Sequence, residues 1–181
     1  MKPRSLFEIL KNSSELSADS QIPNRFLDLL LHTEAPFSRS QFVPGHFTGS
    51  CFVVNPQRTA ILLLQHRKLK KWLQMGGHCD GETNLEAVAL REAQEETGSS
   101  SIRLMSSNVI DLDIHAIPPI KEDPSHLHYD FRFLAVCENP SDLTRSEEET
   151  TDLQWFDWEE AFKMTHEPSM HRVFHKILNP S

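Results

Sequence analysis

The stretch "REAQEETG", residues 91–98, carries carboxylates where an amphipathic helix should turn apolar side chains toward a core. Three residues just before it have the i, i+3, i+4 spacing of a buried helix face: Leu85, Val88 and Ala89. Three glutamates continue this stripe along the helix: Glu92, Glu95 and Glu96. Like charges at this spacing repel, and an inward direction adds the cost of desolvation. A bound divalent cation would remove both costs, since hard cations take oxygen ligands.

The alternative is a solvated acidic helix end, because most charge runs are wet surface. That alternative predicts carboxylates opposite the apolar stripe, and it would set them against the helix macrodipole. The sequence places them on the continuation of the stripe, which favours a cation site.

The ends of this helix can be read from the sequence, which predicts a helix over 84–97. "TNLE", residues 83–86, matches the capping-box pattern, so Thr83 is the predicted cap and Glu86 the residue that reaches back to it. Gly98 stands where a C-terminal helix glycine belongs.

The rest of the chain predicts an α/β domain with a mixed sheet, preceded by a helical extension. Helical periodicity covers residues 5–11 and about 20–33, and a segment rich in proline and glycine follows. We therefore expect a helical extension over 1–44 and a main domain over 45–181. The predicted strands cover 46–54, 59–66, 71–75 ending at Gly76-Gly77, 101–117, 126–138 and 152–158, and two helices at 158–164 and 169–178 end the chain.

Composition excludes several classes of function. The chain of 181 residues has a formal charge of −8, which argues against broad binding to nucleic acid or anionic membranes. Its three cysteines lack CxxC spacing, so neither a disulfide framework nor a cysteine zinc site is indicated. No run reaches the length of a membrane span, and the N-terminal segment makes a poor secretion signal. We expect a cytoplasmic protein.

The segment "GGHCDGETNLEAVALREAQEETG", residues 76–98, resembles the box of the Nudix hydrolase family, G-x5-E-x7-R-E-U-x-E-E-x-G-U with U apolar. The second half matches in order at Arg91, Glu92, Glu95, Glu96 and Gly98. The resemblance implies a Nudix-type α/β/α sandwich with a mixed sheet. The surrounding sequence resembles a bacterial subgroup that has an N-terminal helical extension and no assigned substrate.

By the same resemblance, the activity is Mg2+- or Mn2+-dependent hydrolysis of a nucleoside diphosphate linked to another moiety, NDP-X to NMP plus P-X. Glu95 and Glu96 would be metal ligands, Glu92 a ligand or the general base, and Arg91 the residue that orients the glutamates. Gly76, the first residue of the box, is a further predicted ligand.

The first half of the box departs from the family pattern. Counted back from Arg91, the first glutamate should be residue 83, which is Thr83. Counted from Gly76, Glu82 satisfies G-x5-E, so one residue has moved between loop and helix. Gly81 permits a positive φ that would swing Glu82 back toward the cations. Whether Glu82 ligates metal stays open.

Two or more cations need more carboxylates than one helix turn supplies. Within "SEEETTDLQW", Glu149 is the predicted additional ligand or base, with Glu147 and Glu148 as alternates. The alternative for all three is an acidic loop tip.

Two further groups are candidates for substrate contacts. The two-residue period of a strand puts four polar residues of "HLHYDFRF" on one face: His126, His128, Asp130 and Arg132. This face would line the substrate cleft, bind a transition metal through His-x-His-x-Asp, or be a half-exposed sheet surface. In "HRKLKK", Arg67 is the candidate phosphate contact beside three lysines, and a solvated basic loop is the alternative.

The expected partner is a small nucleotide or related diphosphate, without nucleic acid or membrane, and monomer and homodimer both stay open. The competing function is a catalytically inactive Nudix-fold domain that senses a nucleotide ligand. A second competitor is a zinc-dependent hydrolase built on the histidine strand. The identity of X lies in loops and strand faces, and the box does not specify it.

Overall fold

An eight-stranded mixed sheet lies between two layers of helices in the computed structural model, which describes residues 6–11, 15–119, 122–146 and 150–180. The helices are α1 (Leu6–Lys11), α2 (Ile22–His32), α3 (Leu85–Thr97), α4 (Trp158–Met164) and α5 (Pro168–Leu178). The strands are β1 (Gly45–Val54), β2 (Ala60–His66), β3 (Trp72–Leu73), β4 (Met75–His78), β5 (Ile102–Leu104), β6 (Asp111–Ile117), β7 (His126–Cys137) and β8 (Thr150–Asp157). In the part of the chain that is described, no helix has the length and apolarity that a membrane crossing requires.

The centre of the sheet is a long parallel pair, β1 with β7, in register from Gly45 beside Leu127 to Val54 beside Val136. Each of these strands changes partner along its outer edge. β1 pairs first with β4 and then with β2, and β7 pairs first with β6 and then with β5. The sheet therefore forks on both sides, and a cleft opens where β2 and β4 diverge.

Side chains alternate along the central strands and build one apolar core on each face. On one face, Phe47 and Phe131 pack with Phe26 of α2 and Val88 of α3. On the other face a separate cluster joins β1 and β2 to the last two helices through Phe52, Val54, Ile61, Leu63, Ala161 and Phe174. The arrangement is an α/β/α sandwich, as predicted.

Two strand predictions are wrong in their bounds. The predicted strand 101–117 is two strands, because β5 and β6 pair with different parts of β7. The glycines Gly76 and Gly77 lie inside β4 instead of ending a strand. The other predicted elements are present with ends shifted by a few residues, including α1 and α2, whose Leu10 and Phe26 are buried in the core.

The polar face of β7 is buried, so its interpretation as a half-exposed surface is wrong for Asp130 and Arg132. Arg132 forms ion pairs with Asp130, Asp113 and Asp111, and α5 packs over this group of charges. The helix contributes two further cations that bind the same aspartates, Arg172 and Lys176. The opposite face, with Tyr129, Phe131 and Phe133, is core as predicted.

The N-cap of helix α3 lies one residue later than predicted. Asn84 is the N-cap, and its side chain accepts a hydrogen bond from the backbone N–H of Ala87 at 3.3 Å. The prediction of Thr83 as cap is therefore wrong. Gly98 ends the helix in the left-handed conformation with φ 62°, as predicted.

The Asn84 cap gives the first testable prediction. Asn84→Ala removes the acceptor for a helix N–H and should lower the free energy of unfolding by about 0.5–2 kcal/mol. Thr83→Ala is the matched control and should leave it nearly unchanged. Urea unfolding followed by circular dichroism measures both variants, and a larger loss in Thr83→Ala would contradict the cap assignment.

Candidate active site

A cleft of about 610 Å³ occupies the fork between β2 and β4. It gathers residues that are far apart in the sequence. The helix α3 lines it with Arg91, Glu92, Glu95 and Glu96, and the strands β4, β6 and β7 line it with Gly76, Gly77, His78, His115, His126, His128 and Asp130. The cleft therefore has an acidic wall from the helix and a histidine-rich wall from the sheet.

The three glutamates of the acidic wall differ in burial. Glu96 is buried, and its Oε2 accepts a hydrogen bond from the backbone N–H of Gly76 at 3.0 Å. The Glu92 side chain is 15% exposed, whereas that of Glu95 is 60% exposed. The expectation that all three turn inward is wrong for Glu95, which lies at the rim of the cleft.

Glycine at position 77 makes room for the Glu92 carboxylate. A Cβ atom at Gly77 would lie 2.5 Å from Glu92 Cδ. At Gly76 the added atom would instead meet backbone, 2.8 Å from Ser50 Cα and 2.9 Å from the Gly49 carbonyl oxygen. Gly76 and Gly77 of β4 thus form a floor without side chains, against which the carboxylates of Glu92 and Glu96 rest.

Arg91 connects the acidic wall to the sheet. Its Nη1 lies 2.9 Å from Glu92 Oε1 and 3.1 Å from Glu95 Oε2, and its Nη2 donates a hydrogen bond to the His78 carbonyl at 2.9 Å. Burial opposes the charge of the guanidinium, but Glu92 and Glu95 outweigh it and raise the pKa of Arg91. One cation therefore holds two carboxylates against β4.

The donor chemistry of the acidic wall fits a hard divalent cation. It offers three carboxylates against the single charge of Arg91, and oxygen is the ligand that Mg2+ and Mn2+ prefer. Among the described residues, no three acidic side chains each bring an oxygen within 4.8 Å of the other two. Glu92 and Glu95 therefore have to turn away from Arg91 to share an ion with Glu96.

Two of the predicted site residues, Glu82 and Arg67, lie outside the cleft lining, and a third cannot be placed. Glu82 is exposed and is absent from the described residues that line the cleft; its Oε1 accepts a hydrogen bond from Asn84 N–H at 2.7 Å. Arg67 directs Nη2 toward the Thr150 carbonyl at 3.5 Å, and Lys68 of the same basic run lines the cleft. Glu149 and its alternates lie outside the described residues.

The histidine wall contains residues that sequence reasoning missed. His46 of β1 stands beside His128 in the parallel register, and Thr48 of β1 pairs with His78 of β4. One ring nitrogen from each of the three histidines lies within 4.8 Å of the others. His78 is the third residue of the box, so its sequence position was a possible signal. His46 lies outside the box, and only the register of β1 with its neighbouring strands places it next to His78.

Burial sets the protonation of these rings. Desolvation is the main cause that lowers the pKa of His78 to about 4. It also lowers the pKa of His46 and of His128, and neighbouring imidazoles lower both further. Burial therefore favours the neutral form of all three rings.

Asp130 is bound within the sheet. Its carboxylate accepts hydrogen bonds from Thr48 Oγ1 at 3.0 Å and Ser50 Oγ at 2.7 Å, and it pairs with Arg132 Nε at 3.0 Å. These contacts satisfy the carboxylate at the bottom of the cleft, and no histidine is among them. The predicted His-x-His-x-Asp grouping therefore contributes its histidines to the wall and its aspartate to the ion-pair network.

Residues 46–177 match the model of the NUDIX domain, and the chain belongs to this family of hydrolases that act on phosphoric anhydride bonds. Solved structures with the same fold include a Caenorhabditis elegans Ap4A hydrolase in a binary complex, at TM-score 0.57 and 19% identity over 73% of this chain and 94% of that chain. A NUDIX-family hydrolase from Clostridium perfringens aligns at TM-score 0.54 and 25% identity over 73% and 95% of the two chains.

The dihydroneopterin triphosphate pyrophosphohydrolase of Escherichia coli is also similar, at TM-score 0.56 and 14% identity over 72% of this chain and 92% of that chain. At this identity the likeness shows the fold alone. Among curated proteins, no match to the chain was found.

The glycine floor gives the second prediction. Gly77→Ala would push the Glu92 carboxylate, which is the end of a flexible side chain, out of its place. We expect hydrolytic turnover to fall about 100-fold, with unfolding free energy changed by about 1 kcal/mol or less. Turnover and urea unfolding measured together test this expectation.

Gly76→Ala is the contrasting variant, because its Cβ meets backbone that cannot move aside. It should destabilise the fold by about 1–3 kcal/mol or more. Equal turnover in Gly77→Ala and the parent protein would show that the Glu92 position is unimportant.

Proposed function

We propose that this protein is a Mg2+- or Mn2+-dependent pyrophosphohydrolase that converts NDP-X to NMP and P-X. The observation that carries the proposal is the acidic wall itself. Glu92, Glu95 and Glu96 line the cleft, where Gly77 leaves space beside the Glu92 carboxylate and the Gly76 N–H binds that of Glu96. The family supplies the reaction type, and the position of the three carboxylates in the cleft supports assigning the reaction to them.

The three glutamates would hold the ion or ions, with Gly76 contributing from its backbone. When bound, such ions neutralise the charge of the pyrophosphate bridge and acidify a water. Glu96 is held in place by the Gly76 N–H, so it is the anchored ligand of the set. Glu95 is at the rim and exposed, so it is the ligand that moves.

Glu92 is the proposed general base. Its carboxylate is largely shielded from solvent, rests against Gly77 and is oriented by Arg91 at 2.9 Å. In this position an Oε atom would accept the proton of an attacking water. Arg91 also binds the His78 carbonyl, so it would keep Glu92 beside β4 while Glu95 turns from Arg91 toward an ion.

Glu149 is proposed as a further acid that reaches the same cleft. Its described neighbours support this role: Ser146 lines the cleft and donates its N–H to the Glu96 carbonyl at 3.0 Å. Thr150 starts β8 and pairs with His66, another cleft residue. The segment between them therefore starts beside Glu96 and ends beside another residue of the cleft lining.

The substrate is proposed to be a small nucleotide or related diphosphate. Lys68 lines the cleft and offers a cation to phosphate, whereas Arg67 lies against Thr150. His126 and His128 line the opposite wall, where X would lie. Two proteins with a similar fold are named for different substrates, an Ap4A hydrolase and a dihydroneopterin triphosphate pyrophosphohydrolase, so both substrate types belong in a screen.

The third prediction tests the base. In a screen of dinucleotide polyphosphates, nucleotide sugars, NADH, ADP-ribose and nucleoside triphosphates with Mg2+, we expect release of a nucleoside monophosphate from at least one class. Glu92→Gln should lower that turnover about 100- to 10,000-fold while the protein remains folded. Glu86→Gln is the matched control on the same helix and should retain activity. Binding of nucleotide without any turnover in the parent protein would favour the inactive sensing domain.

The fourth prediction tests the ion site without a substrate. Mg2+ or Mn2+ should raise the melting temperature, because an ion that binds only the folded state stabilises it by mass action. The double variant Glu95→Gln/Glu96→Gln should lose this response. The amide oxygen that Glu96→Gln introduces can still accept the hydrogen bond from the Gly76 N–H, so the fold is retained. An unchanged response in the double variant would place the ion elsewhere.

A further inference from the structure

Three imidazoles from three different strands meet on the histidine wall. One ring nitrogen each from His46, His78 and His128 lies within 4.8 Å of the other two. The strand register brings them together, because β1 runs between β4 and β7 and carries His46 directly beside His128. The histidine ring centroids lie 4.7 Å apart for His46 and His128 and 5.2 Å apart for His46 and His78.

His46 has an unsatisfied nitrogen. Its Nδ1 lies 3.1 Å from the carbonyl oxygen of Gln41, and because a carbonyl only accepts, Nδ1 carries the proton. In the neutral ring the lone pair is then on Nε2. The side chain is 1% exposed, and Nε2 has no hydrogen-bond partner in the described part of the chain. A buried acceptor left unpaired costs free energy, so this atom points to a missing partner.

His126 positions the ring of His128. Its Nδ1 lies 2.8 Å from the Pro124 carbonyl and therefore carries the proton. Its Nε2 lies 3.3 Å from Nε2 of His128. When both rings are neutral, Nε2 of His126 has no proton and accepts a hydrogen bond from Nε2 of His128. Nδ1 of His128 then carries the lone pair of that ring. Outer hydrogen bonds that fix tautomer and orientation in this way are typical of metal-binding histidines.

The chemistry of the group selects the kind of ion. Three neutral nitrogen donors suit Zn2+, Co2+ or Ni2+, whereas Mg2+ and Mn2+ prefer the oxygens of the acidic wall. Asp130, the nearest carboxylate on β7, is engaged by Thr48, Ser50 and Arg132.

We propose that His46, His78 and His128 form a binding site for one borderline divalent transition metal of the Zn2+ class. The site lies on the wall opposite the glutamates, and it goes beyond the proposed hydrolysis without depending on it. Three histidine ligands leave a coordination position open. Because His78 and His128 line the cleft, that position is reached from the cleft, by water or by an anionic group of a bound molecule.

Co2+ is the probe, because its visible absorption reports the ligand set. Titration of the metal-free protein in the presence of excess Mg2+ should give one equivalent of bound Co2+ with the intense bands of a four-coordinate ion. Zn2+ should displace it. The weak absorption of a six-coordinate, oxygen-bound ion, or the absence of binding in the parent protein, would overturn the proposal regardless of how any variant folds.

Variants then locate the ion. His78→Asn and His128→Asn should each abolish the intense bands, with circular dichroism confirming that they fold. His115→Asn is the matched control on the same wall, with its ring centroid 5.5 Å from that of His128, and should retain them. His126→Asn should weaken Zn2+ affinity about 10- to 100-fold, as loss of an outer hydrogen bond does. Bands that survive both ligand variants would overturn the assignment.

The glutamates separate this site from the proposed hydrolysis. Glu95→Gln/Glu96→Gln should keep the intense Co2+ bands, while His128→Asn should keep the Mg2+-dependent rise in melting temperature. Loss of the Co2+ bands in the glutamate variant would assign the ion to the acidic wall. The two proposals can therefore fail independently.

Discussion

The change of partner along β1 is the constraint on which the rest of the structure depends. β1 binds β4 through residues Thr48–Cys51 and β2 through Val53 and Val54, so one strand edge serves two strands that must then separate. Their separation opens the cleft. It also places the glycines of β4 at the cleft floor, where the carboxylates of α3 reach them.

Charged residues that form ion pairs lie between the polar cleft and helix α5. Asp111, Asp113, Arg132 and the α5 cations Arg172 and Lys176 form a buried network next to the cleft. Burial would raise the pKa of Asp113, but His115, Arg132 and Arg172 hold it well below its ordinary value. Breaking one member of such a network is costly, at about 3–5 kcal/mol, because a charge is left unpaired. The network therefore also fixes α5 on the sheet.

The local parts of this structure could be predicted from the sequence, and the parts that depend on strand register could not. The helix α3, its glycine end and the position of Glu96 follow from periodicity within one segment. The cap was misassigned by one residue because Thr83 and Asn84 are both good cap residues. The direction of Glu95 also escaped prediction, since it depends on Arg91 at i−4 and on the rim of the cleft. The grouping of His46 with His78 and His128 arises from pairings between distant strands, for which a single sequence carries no local signal.

His78 belongs to both walls of the cleft. Its carbonyl oxygen accepts the hydrogen bond of Arg91, the residue that holds Glu92 and Glu95, and its ring is one of the three converging imidazoles. A shift of Arg91 when the glutamates take up a cation would reach the β4 backbone at the same residue whose side chain faces the other wall. If both walls bind ions, any effect of one ion on the affinity of the other would have to be reciprocal. His78 is the residue through which such an effect would pass.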